Sequence, residues 1–414
     1  MIQLQQKSDC CGCNGCTQIC PKQCISMKED TEGFLYPHID KEICIDCHLC
    51  EKVCPVIHQG SPRTTNKVYA AKNKNEDIRL KSSSGGVFTL LAEEIIAQGG
   101  IVFGAKFNDE WEVVHGFTET KEGLADFRGS KYVQSYIGES FKEAQNFLRQ
   151  GRTVLFSGTP CQIAGLKNFL RKEYNNLITV DFICHGVPSP QIWNRYLTET
   201  CEKIIVEDRK NSVIPNRFNG EVKSCIEAIN FRSKILGWKK FSFFLKLKST
   251  TLQGEKDTEG FFEPLGKNIY LKGFTRNLFL RPSCYHCPSK SFKSQSDYTI
   301  ADFWGIQKYY PQFNDDKGVS ALFVHRDKDI FPYEKCDIIK SSMQEVLDQN
   351  PALIKSSSPK DNRASFFRRI DKKHITPLIN TYSQYSIREN VINQIIKLLV
   401  KTHTIHYIKA ILKK

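Results

Sequence analysis

The residues best able to do chemistry are cysteines, and their spacing is specific. The run Cys10-x2-Cys13-x2-Cys16-x3-Cys20-Pro21 is matched 34 residues later by Cys44-x2-Cys47-x2-Cys50-x3-Cys54-Pro55. A cubane cluster needs four thiolates in a roughly tetrahedral arrangement. Three closely spaced cysteines can wrap one side of it, and the fourth then comes from the other repeat. The pattern predicts two [4Fe-4S] clusters, one on Cys10, Cys13, Cys16 and Cys54, the other on Cys44, Cys47, Cys50 and Cys20. Zinc is the alternative, but zinc sites usually pair two CxxC units without a third cysteine and a trailing Cys-Pro. Cys11 and Cys24 fall outside the pattern and read as bystanders.

Four further features lie beyond the repeat. Ser82-Ser83-Ser84-Gly85-Gly86 precedes an apolar helical stretch. Small residues there would expose backbone N–H groups to a phosphate, or a serine would simply cap the helix. Two segments, Ser157-Gly158-Thr159-Pro160-Cys161 and Cys184-His185-Gly186-Val187-Pro188, each follow an apolar strand pattern and place a cysteine at its carboxyl end. The fourth is Cys284-Tyr285-His286-Cys287-Pro288, ahead of Asp297–Gly305. If its loop folds over the two strand ends, Cys161, Cys184, Cys284 and Cys287 form a four-thiolate site, for which a third [4Fe-4S] cluster is expected. Zinc, a redox dithiol or inert cysteines are the alternatives.

The elements that must position these residues follow from apolar periodicity. Ile101–Phe107, Thr153–Ser157 and Leu177–Cys184 read as strands. Val87–Ala97, Glu139–Arg149, Gln162–Arg171 and Gln191–Thr200 read as helices. Between Cys225 and Thr251 the pattern turns to β. The expected fold is an α+β ferredoxin-like N-terminal module (1–60), then an α/β domain with a mixed sheet (68–375), then a helical basic tail (376–414). Gln59 to Lys67 reads as the linker.

Composition bounds the function. The chain has 414 residues and 17 cysteines, ten of them in the first 54 positions, which points to metal use rather than a disulfide scaffold. Its start is polar and no segment is long and apolar enough to span a bilayer, so a cytoplasmic location is expected. The formal charge of +14 could suit nucleic acid, but no nucleic-acid motif accompanies it. Anionic cofactors, acidic partner proteins or a membrane surface fit better. The tail from Val391 carries five lysines and no acidic residue. It could make peripheral membrane contact, although packing against the body with solvated lysines is the favoured reading.

In combination, SSSGGVFT (Ser82–Thr89), GSKYVQS (Gly129–Ser135), GTPCQIAGL (Gly158–Leu166), DFICHGVPSP (Asp181–Pro190) and CYHCPSK with DYTIADFWG (Cys284–Gly305) resemble the family of coenzyme F420 hydrogenase/dehydrogenase beta subunits. The resemblance covers roughly residues 68 to 340, and the dicluster module is a common N-terminal addition. It implies a flavoprotein oxidoreductase holding FAD beside an iron–sulfur cluster. Such a protein would exchange electrons with an external donor or acceptor protein and hydride with a small-molecule or glycan-precursor substrate, F420 included. Ser82, Ser83, Ser84, Gly85, Gly86, Gly129, Ser130, Lys131 and Tyr132 become candidate FAD contacts. Lys131 could pair with pyrophosphate or with the reduced flavin, and His185 could donate a proton. Asp302 and Trp304 could shape the pocket. The alternative is a non-catalytic electron-transfer subunit of a larger redox complex.

Overall fold

The computed structural model describes residues 1–65, 67–211, 222–250 and 256–384. The basic amphipathic segment anticipated from Val391 onward lies outside the described residues.

The N-terminal repeats fold alike. Helix α1 (Gly15–Ile19) and helix α2 (Leu49–Lys52) stop just before the two Cys-Pro pairs, as expected where proline removes a donor and fixes φ. Asn14 and His48, equivalent positions in the duplication, both take left-handed φ near 60°, and so do their neighbours Gly12 and Asp46. The duplication therefore extends to the backbone that wraps each CxxC pair. Between the repeats, β1 (Ile25–Glu29) and β2 (Leu35–Ile39) form an antiparallel ribbon.

The body is built on a mixed sheet of eight strands. In chain order these are β3 (Val68–Asn73), β4 (Ile101–Phe107), β5 (Val113–Thr118), β6 (Val154–Ser157), β7 (Leu177–Phe182), β11 (Tyr298–Asp302), β12 (Ser320–Val324) and β13 (Cys336–Ser341). Their spatial order is β13-β3-β12-β11-β7-β6-β4-β5. The centre β11-β7-β6-β4 is parallel, and antiparallel strands close both flanks. The strands β8 (Ile226–Ser233), β9 (Ser242–Thr250) and β10 (Lys256–Pro264) make a separate antiparallel sheet, where the sequence turned to β.

Several element ends matter for chemistry. Helix α3 (Glu76–Lys81) and helix α4 (Val87–Ala97) flank the serine–glycine run, and α5 (Leu124–Phe127) precedes Gly129. Helix α6 (Ser140–Arg149) leads into β6. Helix α7 (Pro160–Leu170) begins two residues before Gln162, because Thr159 and Gln162 form a reciprocal capping box with proline in the first turn. That places Cys161 inside the first turn. Strand β7 ends at Phe182, which frees Cys184 for a loop. Helix α8 (Pro190–Asn211) runs a full eleven residues past its expected end at Thr200. The short strands β3, β12 and β13 carried no periodic signal long enough to mark them. A domain limit at 375 also falls at the edge of a packed element: Ile375, Leu378, Ile379 and Tyr382 of the helix Ile375–Tyr382 are buried in a core of the body.

The N-terminal module is wedged into this body. Gln18 of α1 is 4 % exposed, and its Oε1 accepts the N–H groups of Phe141 and Lys142 at 3.1 Å each. It thereby satisfies free donors in the first turn of α6. Arg363 forks onto Glu32 at 3.0 and 2.6 Å, both side chains largely buried. Cys13 lies over α7 at Gly165, where an added Cβ would come within 2.9 Å of the Cys13 Cβ and Sγ. Glycine permits that approach. We expect Gly165→Ala to cost about 1–3 kcal/mol through overpacking and to lower bound iron. Thermal melting with an iron assay checks this, and an unchanged melt with full iron would count against the contact.

A second expectation concerns acid. His325 follows β12, with Nε2 3.1 Å from Thr299 Oγ1 and its ring against Phe292 at 4.5 Å. Burial, then the charges of Arg63 and Lys167, push its pKa down from 6.5 to about 3. His115 on β5 is likewise lowered, by burial, to about 4, with the Ser157 carbonyl opposing. The folded chain thus binds fewer protons than the unfolded chain below pH 6.5. This stability is complete above pH 6.5 and is lost as pH falls toward 4, on the order of 1 kcal/mol per pH unit for each ring. Melting temperatures across pH 4–7 should show a shallower acid slope in His325→Gln than in the parent chain.

Candidate functional site

Three groups of thiols line up from the surface inward. In the outer group Cys20, Cys44, Cys47 and Cys50 surround a cavity of about 20 Å³. Cys47 is exposed, and the Ile2 N–H donates to Cys50 Sγ at 3.3 Å. Cys24, read as a bystander, is buried with its Sγ 3.4 Å from Cys20 Sγ. The counterpart of Cys24 in the second repeat is His58, so the duplication could not reveal it.

The middle group is Cys10, Cys13, Cys16 and Cys54. Burial raises Cys16 first, and the negative potentials of Cys10, Cys54 and Cys50 add to it. Cys54 is raised by burial and by Cys10 and Cys50. The inner group is Cys161, Cys184, Cys284 and Cys287. Cys184 is raised chiefly by burial and also by the other three, and burial pushes Cys284 up to about 12. Cys287 is raised by burial and then by Cys161. The structure therefore brings together all four thiols contributed by the two strand ends and the CxxC loop. Cys11 is buried between the middle and inner groups, near enough to Cys13 and Cys161 to shift with both. Its isolation outside the repeat hid that position.

The donor chemistry fits iron–sulfur clusters. Thiols gathered and buried like this resist ionisation, and a multiply positive core is what reverses that resistance. Backbone N–H groups already address sulfur, with Val187 N donating to Cys284 Sγ at 3.4 Å. Among the described residues no three His, Cys, Asp or Glu side chains converge as ligands of one ion would. Ligands of a cubane stand at the corners of a larger body and need not converge.

Beside the inner group lies a cavity of about 520 Å³. It opens at the carboxyl ends of β6, β7 and β11, where open α/β sheets hold ligands. Cys184, His185, Gly186, Val187 and Pro188 line it, so one loop serves both the thiol group and the cavity. Ser82, Ser83, Ser84 and Gly86 line one wall with Gly129, Ser130, Lys131 and Tyr132; Gly85 is not in the wall. A Cβ on Gly85 would collide with the Ala71 carbonyl, so that glycine serves packing. The two loops are tied by Ser83 Oγ, which accepts the Ser130 N–H at 2.6 Å and lies 2.8 Å from Ser130 Oγ.

The serines do not cap α4. Ser82 Oγ donates to Ile78 O at 2.7 Å and Ser84 Oγ to Val319 O at 2.8 Å. The cap residue is Gly86, at φ 80°, with no side-chain hydrogen bond. The first turn of α4, Val87 to Thr89, faces the cavity instead. A Cβ on Gly129 would meet nothing within 4 Å, which leaves room for a ligand against that backbone. These features fit a phosphate-bearing ligand, since a free helix start suits a phosphate.

The candidate proton carriers are differently placed. Lys131 Nζ donates to Asp126 O at 2.6 Å and to Arg128 O and Gly129 O at 3.4 Å each. Its three donors thus hold their own turn, and burial lowers its pKa to about 7. The expected pairing with a phosphate would require those bonds to break. For His185, Asn277 Nδ2 donates to Ser358 O at 2.9 Å, which fixes the amide and leaves Oδ1 as an acceptor. His185 Nε2 lies 2.6 Å from that Oδ1 and must carry the proton. Burial lowers the ring's pKa, so Nδ1 is left as an acceptor. The expected proton donor is therefore better arranged to take a proton.

Sequence reading missed Arg232. It is 4 % exposed, pairs through Nη1 with Asp302 and leaves Nε and Nη2 without partners among the described residues. Trp238 Nε1 donates to Asp302 Oδ1 at 2.8 Å and stacks on Trp304 at 4.7 Å. Asp302 and Trp304 thus shape the cavity wall by holding Arg232. No motif accompanied Arg232, which lies within a β-strand of the second sheet.

Residues 9–57 match the 4Fe-4S dicluster domain. Residues 68–141 and 151–330 match the N-terminal and C-terminal parts of the coenzyme F420 hydrogenase/dehydrogenase beta subunit. An F(420)H(2) dehydrogenase subunit of Methanosarcina mazei is 25 % identical over 192 residues, 44 % of this chain and 54 % of that protein. This chain thus spans about half the length of that relative. Ferredoxin 7Fe of Hydrogenibacillus schlegelii is 38 % identical over 63 residues, 14 % of this chain and 74 % of that one. A chain of the F420-reducing [NiFe] hydrogenase complex from Methanosarcina barkeri aligns with a TM-score of 0.40 and 17 % identity, covering 76 % of this chain and 96 % of that one. Among the described residues no helix is long and apolar enough to cross a membrane. With both parts of the beta subunit matched behind a dicluster domain, the chain belongs to the family of coenzyme F420 hydrogenase/dehydrogenase beta subunits.

Proposed function

We propose that this chain is an iron–sulfur flavoprotein oxidoreductase. Electrons pass between an external carrier and the 520 Å³ cavity through the outer, middle and inner thiol groups, each holding a [4Fe-4S] cluster. One observation carries the reading: the loop that holds Cys184 of the inner group also lines the cavity, from Cys184 to Pro188. The reading orders the thiol groups from exposed Cys47 to the cavity wall, where Cys184 lies. Ile43 and Ile45, flanking Cys44 and half exposed at 50 % and 58 %, offer an external electron-carrier protein an apolar contact.

FAD in the cavity would supply the conversion between one-electron and two-electron chemistry. The chain's own residues would do the rest. The uncapped start of α4 and the open backbone at Gly129 would hold the nucleotide. The Ser83–Ser130 bond keeps these two walls together. His185, held by Asn277, would take a proton at Nδ1 as a small organic substrate gives up hydride. Residues 1–60 act as the electron module and the body from 68 onward as the catalytic part. A second reading, a non-catalytic electron-transfer subunit, draws on one relative being itself a subunit by name.

Anaerobic purification with iron, sulfide and flavin counts separates the two readings. About twelve irons with one FAD is the expected result, whereas about eight irons and no flavin would remove the catalytic reading. A finer prediction concerns His185. His185→Gln should lower hydride-transfer turnover by about 10²–10⁴-fold at unchanged iron and flavin content. Turnover within a factor of two or so of the parent would take His185 out of the proton path.

A further inference from the structure

Arg281 is 1 % exposed, one of the largest fully buried side chains in the molecule. It belongs to the body yet reaches into the dicluster module. Nε donates to Cys10 O at 2.7 Å, and Nη2 donates to Leu35 O at 2.9 Å and to Cys10 Sγ at 3.4 Å. Nη1 donates to Gln134 Oε1 at 2.9 Å. The guanidinium also lies over the Tyr36 ring at 4.4 Å and the Phe34 ring at 5.4 Å. Its backbone belongs to the other side of the junction: Cys284 N donates to Arg281 O at 2.9 Å. One residue therefore touches a ligand of the middle group and opens the turn that carries two ligands of the inner group.

The hydrogen-bond partners of Arg281 among the described residues are two carbonyls, an amide oxygen and a sulfur; none is a carboxylate. A buried cation is costly unless an opposite charge faces it. The group nearest to a counter-charge is Cys10, whose Sγ accepts from Arg281 Nη2 at 3.4 Å. A set of four thiolates around a cluster carries net negative charge, and Arg281 is aimed at one of its sulfurs. We propose that Arg281 is the permanent counter-ion of the cluster held by Cys10, Cys13, Cys16 and Cys54, and raises that cluster's reduction potential.

Burial alone disfavours adding an electron, because each electron adds one negative charge away from water. The middle group is more buried than the outer one, so without compensation it would be an uphill step between carrier and cavity. A charge-assisted N–H···S bond and a fixed positive charge both act in the opposite direction. The guanidinium keeps its proton in both redox states, so the electron arrives without a proton. Arg281 is thus a positioning and potential-setting residue. The proposal rests on the ligand assignment above, and iron counts test that assignment separately.

The test is an EPR-monitored redox titration of the full-length, cluster-loaded protein with dithionite, the outer signal being assigned by its loss in Cys47→Ser. In the parent chain the middle cluster should titrate level with or above the outer one. If it lies more than tenfold below in reduced-to-oxidised ratio at a common potential, about 59 mV for a one-electron couple, the proposal falls. This outcome needs no Arg281 variant to fold. In Arg281→Gln, with iron content unchanged, the middle cluster's ratio should drop by tenfold or more while the outer cluster's stays put. Arg281→Lys, which keeps a charge at shorter reach, should drop by less. An unshifted middle cluster in iron-replete Arg281→Gln, or equal drops in the Gln and Lys variants, overturns the role of the charge. Lost iron in the parent chain would instead sink the ligand assignment.

Discussion

Thiols packed around a common buried point repel one another as soon as they ionise, and burial has already made ionisation unfavourable. That constraint organises this protein. Twelve cysteines are gathered into three groups, and in the two inward ones every thiol whose pKa is shifted is shifted upward. Once ionised, such groups stay together only with something positive to offset them. In the proposed loaded state that is the iron core of each cluster, helped at the middle group by a guanidinium that has no carboxylate of its own.

The same constraint explains why the dicluster module is so firmly seated. A freely tethered module would leave Arg281 buried against nothing and Cys11 away from Cys161. Instead the module supplies groups the body needs. Gln18 completes the start of α6, Glu32 neutralises Arg363, and Cys13 fills the space left by the missing side chain at Gly165. These are reciprocal dependencies, so the module and body are expected to lose order together.

On the far side of the inner group, polar side chains serve structure and backbone is left for the ligand. Ser82, Ser84 and Lys131 spend their donors on carbonyls. What remains open is the first turn of α4 and the bare backbone at Gly129. In the proposed loaded state this division suits a nucleotide, since backbone donors are rigid and cannot swing away. Arg232 is the exception, a buried fork only partly used by Asp302.

Much of this was legible in the residues alone. The duplicated cysteine run dictates its own pairing because spacing along a short chain limits which thiols can meet. The strand–loop–helix segments around Cys161 and Cys184 were readable because parallel strands buried on both faces are continuous apolar runs. The sequence could also suggest that Cys284 and Cys287 join them. Other features depend on distant segments meeting. Cys11 and Cys24 look idle until the fold sets them beside other thiols. The serine run looks like a cap until Ile78 and Val319 take its hydroxyls. Arg281 looks like any other arginine until its side chain is found 271 residues away in sequence, against Cys10. Local spacing determined which atoms can bind iron. Only tertiary packing decided which charges those atoms face, because electrostatic partners are chosen by distance in space and not by order along the chain.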